Sequence, residues 1–223
     1  MNLDADAVVW THATTRQSAP SRPLLVLMHG LGSHEHDLVG ILPHLPSHVD
    51  AASLRAPLRD MGGFAWFPRG DSAGTPDGQA IAQAAQAVLS WLDASVDATT
   101  PVIPVGFSQG GAMVTQLLRE RPTRFAAGVV LSGFRHSAPH PHDAELAEQH
   151  IPVFCGRGDS DPIITTDRFF DLEHWLEQHT DVDLHVYAGM PHAVNAEELR
   201  DLSDFITRVC PVAEVNGSSP DLS

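Results

Sequence analysis

Lysine is absent from this 223-residue chain, and all 13 basic residues are arginine. That excludes lysine Schiff-base chemistry with pyridoxal phosphate, and it excludes the lysine of a phosphate-binding loop. Positive charge is scarce overall. Against 28 acidic residues the formal net charge is −15, which disfavours nucleic acid and anionic membrane surfaces as partners. Cysteine is nearly absent as well. Cys155 lies in an apolar strand-like run and Cys210 follows the last helical run, so no disulfide framework is expected and a reducing compartment suffices. The first residues, Met1 to Asp6, carry neither a basic segment nor an apolar one. No signal peptide, no integral membrane segment and a cytoplasmic location are therefore expected. Internal repeats are missing too. The length suits one domain over 1–210 with a substantial core, followed by a loose Gly/Ser/Pro-rich tail over 211–223.

Among the residues that are present, Gly106-Phe107-Ser108-Gln109-Gly110 is the most informative stretch. It joins an apolar run, Val102 to Val105, to a helix-like run, Gly111 to Leu118. A serine between near glycines at a strand-to-helix junction has the form of a nucleophile elbow, a tight strained turn that lifts the hydroxyl above the sheet. A serine there could equally be an ordinary helix cap, so context decides. An acid and a histidine should follow in the order Ser, Asp or Glu, His. Ile151 to Gly156 reads as a buried strand and runs into Asp159 and Asp161. Leu184 to Ala188 reads as another and runs into Gly189-Met190-Pro191-His192. Loops at the carboxyl ends of parallel strands open on one edge, so these groups can converge on Ser108.

Acyl transfer also needs donors for a developing oxyanion. The backbone N–H of Gln109, at the start of the helix, is one candidate. His29-Gly30-Leu31-Gly32 follows the strand-like run Leu24 to Met28, and Leu31 N–H is the second. Strand patterns near 6–12, 23–28, 49–54, 101–107, 125–131, 151–155 and 183–188 alternate with helical patterns near 36–45, 77–95, 109–121, 166–179 and 195–209. That alternation predicts an α/β fold with a mostly parallel sheet covered on both faces.

His29-Gly30-Leu31-Gly32, Gly106 to Gly111, Gly158-Asp159-Ser160-Asp161-Pro162 and Gly189-Met190-Pro191-His192 together resemble the carboxylesterase/phospholipase family of α/β-hydrolases. That family includes bacterial carboxylesterases and acyl-protein thioesterases. The resemblance spans roughly residues 22–209. It implies an α/β-hydrolase fold with little or no cap domain and no cofactor. It also implies a triad of Ser108, Asp161 and His192, with Leu31 and Gln109 amides as oxyanion donors. The family pattern selects Asp161 over Asp159, which is then expected to cap the turn. Ser33 to Leu38 is closer to the bacterial esterases than to the eukaryotic thioesterases. The aromatic pair Trp66 and Phe67 is expected near the acyl pocket, with simple core packing as the equal alternative.

His34, Glu35, His36 and Asp37 lack the i, i+4 spacing of a helical metal site, so no metal is assigned to them. His136, His140 and His142 lie among prolines and read as a solvated loop flanking the site mouth. The leading function is a serine carboxylic-ester hydrolase acting on small acyl esters of short to medium chain. The alternatives are a thioesterase or lysophospholipase with the same triad and, remotely, a non-catalytic binding protein or a metal-dependent hydrolase. Such a fold is compatible with a homodimer, although no interface is evident in the sequence.

Overall fold

Leu24 to Met28 carries five successive apolar side chains, and all five are buried. Such a run suits a strand covered on both faces. The computed structural model describes residues 1–11, 22–70 and 76–211. In chain order its strands are β1 (Val9–Thr11), β2 (Leu24–Met28), β3 (Asp50–Leu54), β4 (Leu58–Asp60), β5 (Gly63–Ala65), β6 (Val102–Phe107), β7 (Gly128–Leu131), β8 (Pro152–Gly158) and β9 (Asp181–Tyr187). Its α-helices are α1 (Gly78–Ser95), α2 (Gln109–Glu120), α3 (Asp143–Gln149), α4 (Thr166–His179) and α5 (Ala196–Val209). Seven strands form one sheet in the order β1-β3-β2-β6-β7-β8-β9. Only β1 runs antiparallel to its neighbour.

The sheet separates two cores. On one face Ile81, Val88 and Leu92 of α1, Val114 and Leu117 of α2, and Leu172 and Leu176 of α4 pack together. On the other, Leu202, Phe205 and Ile206 of α5 pack with Leu38 and Ile41. This is the α/β-hydrolase arrangement expected above. Among the described residues no helix is long and apolar enough to cross a membrane.

Local details depart from the sequence reading. The run near 36–45 is a 3-10 helix over Leu38–His44 with Pro43 inside it; proline removes a backbone donor and does not sustain an α-helix. The first strand begins only at Val9, because Ala5–Ala7 forms a 3-10 turn capped by Asp4. Its expected end at residue 12, and all of the expected tail except Pro211, lie outside the described residues. The β4–β5 hairpin and α3 were not anticipated. Pro104, in the middle of the sheet, is accommodated because the ladder between β6 and β7 starts one residue later, at Val105.

Candidate active site

β6 ends at Phe107 and α2 starts at Gln109, so Ser108 makes the whole turn between them. Its backbone is at φ 55°, ψ −113°, a sparsely populated region for a residue with a side chain. Neighbouring structure holds it there. Ser108 N–H donates to Leu131 O at 2.9 Å. A Cβ at Gly106 would collide with the Gly110 carbonyl, and one at Gly110 with the Met28 carbonyl. Only glycine passes at these two positions.

Asp161 and His192 come from the loops after β8 and β9, on the same sheet edge. Asp161 Oδ1 accepts the N–H groups of Ile163 (2.8 Å) and Ile164 (3.0 Å). Its other oxygen, Oδ2, lies 2.7 Å from His192 Nδ1. The carboxyl is almost wholly removed from solvent, whereas the imidazole keeps partial access. A carboxylate facing Nδ1 assigns the proton to that nitrogen and leaves Nε2 as an acceptor. The His192 ring packs on Phe107, with centroids 4.8 Å apart, which seats it beside the serine turn. Asp159 does different work. Its Oδ1 accepts Gly189 N–H (2.7 Å) and Ser160 Oγ–H (2.9 Å), tying the β8 loop to the β9 loop.

The loop after β2 closes the third side. A Cβ on Gly30 would stand 3.5 Å from the Ser108 Cβ and 3.2 Å from the Phe107 ring. Among the described residues Leu31 N–H has no protein acceptor, while the next two amides, Gly32 N–H and Ser33 N–H, are both satisfied. Gln109 is the first residue of α2, so its N–H has no intrahelical partner either. His29 braces the loop from within. Its Nε2 accepts Ala56 N–H (3.2 Å), so Nδ1–H donates to Gly30 O (2.7 Å). Burial lowers its pKa and keeps the ring neutral.

Trp66 and Phe67 are 0% and 2% exposed, packed into the core next to the serine helix. Trp66 Nε1–H donates to His29 O (2.9 Å). The Gln109 side chain accepts Trp66 N–H and donates to Phe67 O, each at 2.8 Å. The sequence reading used only the backbone of Gln109 and missed this clamp, which joins the serine helix to the hairpin beside the Leu31 loop. A lone glutamine in a G-x-S-x-G motif carries no local signal of it.

Glu35 is taken up by Arg55, whose Nε–H donates to Oε2 at 2.7 Å while Nη2 meets Oε1. That pairing holds the carboxyl down at about 2. Asp37 accepts Ser33 Oγ–H at 2.6 Å. No group of three or more His, Cys, Asp or Glu among the described residues is arranged to hold a metal. The 136–142 segment is only partly the solvated loop expected. His142 is exposed, but His136 packs against Gly78, and burial lowers its pKa.

A model of the phospholipase/carboxylesterase family matches residues 11–210. The chain belongs to this family. It is 28% identical over 215 residues to acyl-protein thioesterase 1 of Kluyveromyces lactis, covering 86% of this chain and 94% of that one. It is 28% identical over 224 residues to the protein of that name in Mycosarcoma maydis, covering 84% and 91%. The carboxylesterase of Bacillus cereus shares the fold with a TM-score of 0.77 at 20% identity, covering 91% of this chain and 93% of that one. A carboxylesterase of Mesorhizobium loti does so at 0.74 and 20%, covering 84% and 90%. The protein is thus a member of a hydrolase family of carboxylesterases and acyl-protein thioesterases.

Proposed function

We propose that this protein is a cytoplasmic serine carboxylic-ester hydrolase for acyl esters of short to medium chain. The observation that carries the reading is a His192–Asp161 pair, 2.7 Å apart, whose imidazole packs on Phe107, the residue before Ser108 and its strained turn. Ser108 Oγ attacks the ester carbonyl as His192 Nε2 takes its proton. The oxyanion accepts hydrogen bonds from Leu31 N–H and Gln109 N–H. The imidazolium then protonates the leaving alkoxide, the C–O bond breaks, and the acyl group stays on Ser108. Water attacks this ester with its proton passing to His192. Collapse releases the carboxylic acid and returns a proton to Ser108. Asp161 holds the imidazole in the tautomer this requires and remains ionised throughout.

The preference for shorter chains is supported by the small size of the elements inserted between the main strands among the described residues. The β4–β5 hairpin spans only residues 58–65, and α3 has seven residues. The fungal relatives named acyl-protein thioesterase support a second reading, in which the leaving atom is sulfur and the machinery is unchanged. The test compares wild type with Ser108→Ala on p-nitrophenyl esters from acetate to palmitate and on matched thioesters, with chelator present. Activity should peak at short to medium chains on oxygen esters and fall by several orders of magnitude in the variant. Activity equal to wild type in Ser108→Ala would refute the mechanism. A maximum on long-chain thioesters would replace the first reading with the second.

A further inference from the structure

Several arginines that the fold buries wholly or in part are matched to a carboxylate. Arg119 meets Asp143, Arg135 meets Asp171 and Arg55 meets Glu35. Two arginines beside the candidate site break this pattern. Arg157, at the end of β8, is 7% exposed, and no carboxylate pairs with it among the described residues. Its Nε–H donates to Gly158 O (3.1 Å) and its guanidinium lies 4.3 Å over the Phe169 ring, but Nη1 is buried without an acceptor. Arg168, on the first turn of α4, lies 3.9 Å over the Phe134 ring and is likewise unpaired among the described residues. Loss of solvent lowers its pKa, with only Asp171 opposing, and Asp171 is held by Arg135 and Ser137. Asp167, the remaining acid of that turn, faces solvent.

Burying an unpaired charge is costly unless something compensates it. Placing a cation on the first turn of a helix adds repulsion from the helix dipole. The Thr165 side chain does not cap that turn, so its N–H groups add to the positive field. The sheet register places one of these, Arg157, relative to the serine. Phe107, Leu131 and Gly156 lie in register across β6, β7 and β8. Ser108 and Arg157 each follow by one residue, which sets their Cα atoms two strand spacings apart, about 10 Å. The loop that leads into α4 is the one that carries Asp161.

We propose that Arg157, Arg168 and the amino end of α4 form an anion subsite, so that preferred esters carry a carboxylate or phosphate a few bonds from the scissile carbonyl. This rests on the reading of Ser108 as the nucleophile. It adds a substrate class that the reaction chemistry leaves open. In a chain of net charge −15, such a site draws an anion in locally against the general repulsion.

The test pairs mono-p-nitrophenyl glutarate with neutral p-nitrophenyl pentanoate, each corrected for its enzyme-free rate, which for the glutarate includes attack by its own carboxylate. Wild type should favour the anionic ester in kcat/KM. Arg168→Met should cut the anionic-to-neutral ratio by about tenfold, and Arg168→Lys should restore part of it. Calorimetry with glutarate and inorganic phosphate on Ser108→Ala protein reads the subsite without turnover. If neither ester is cleaved, the serine reading fails, and glutarate binding to wild type with its loss in Arg168→Met still decides the subsite. A ratio unchanged in Arg168→Met and Arg157→Met, with no heat from glutarate or phosphate, overturns the proposal. An unfolded Arg157→Met protein leaves Arg168→Met to carry the comparison.

Discussion

Asp161 uses both carboxylate oxygens, one for two backbone amides and one for His192. Asp161→Asn places an amide nitrogen or a weaker acceptor opposite Nδ1 and unsettles the tautomer. Its kcat should fall on the order of a thousandfold to ten-thousandfold with little change in stability. Urea melts beside steady-state rates would check this; a loss of stability in proportion to activity would make the role merely structural. Glu198 shows the opposite situation. It is wholly buried, neither oxygen has a hydrogen-bond partner among the described residues, and it occupies the space that Gly156 leaves open by having no side chain. Burial, helped by nearby Asp201, raises its carboxyl from 4.5 to about 8. The native state therefore holds a proton that the unfolded chain has lost between these values. Its contribution is full below about 4.5 and falls as pH rises toward 8, at up to about 1.4 kcal/mol per unit. Denaturation of Glu198→Gln should show a flatter stability profile over that range and a gain at pH 8. A profile parallel to wild type would contradict the assignment. Ser108, Asp161 and His192 stand out in the sequence because spacing and strand ends mark them. Glu198 does not, since an acid on the first turn of an acid-rich helix reads as solvated.

At the level of elements, α2 is the keystone. Every residue from Gln109 to Arg119 is buried, and its first side chain clamps the hairpin through Trp66 and Phe67. The hairpin in turn holds the Leu31 loop through Gly32 N–H to Phe64 O (2.8 Å) and Phe64 N–H to Ser33 O (2.8 Å). Gln109→Leu strands a buried N–H and a buried C=O, each at about 1–3 kcal/mol. A lower urea midpoint and a reduced kcat are expected together, the second because the two proposed oxyanion donors lose their mutual register. An unchanged midpoint would show that the clamp is not bearing on the fold. The main strands and α1, α2, α4 and α5 were legible because their apolar residues repeat with clear periods. The hairpin was not, because its two strands have three residues each and three residues set no period. Nor was α3, where Leu146 is the only buried residue.

Over the whole molecule, the sheet order explains how residues 84 positions apart in the chain, from Ser108 to His192, share one edge. The α/β alternation dictates parallel strands, and parallel strands put every following loop on the same side. The order β3-β2-β6-β7-β8 sets which of these loops are neighbours. Local pattern does not encode that order; it comes from which apolar faces cover which. The convergence of the Leu31, Ser108, Asp161 and His192 loops was therefore expected from the sequence, while the clamp beneath them and the unpaired arginines beside them emerged only with the packing. The central claim is that Ser108 alone carries the acyl group. Treatment with a fluorophosphonate, followed by intact mass and peptide mapping, tests it most directly. One adduct per chain is expected, on Ser108, with loss of ester hydrolysis in parallel and no adduct in Ser108→Ala. Labelling at another residue, or full hydrolysis by protein already modified at Ser108, would contradict it.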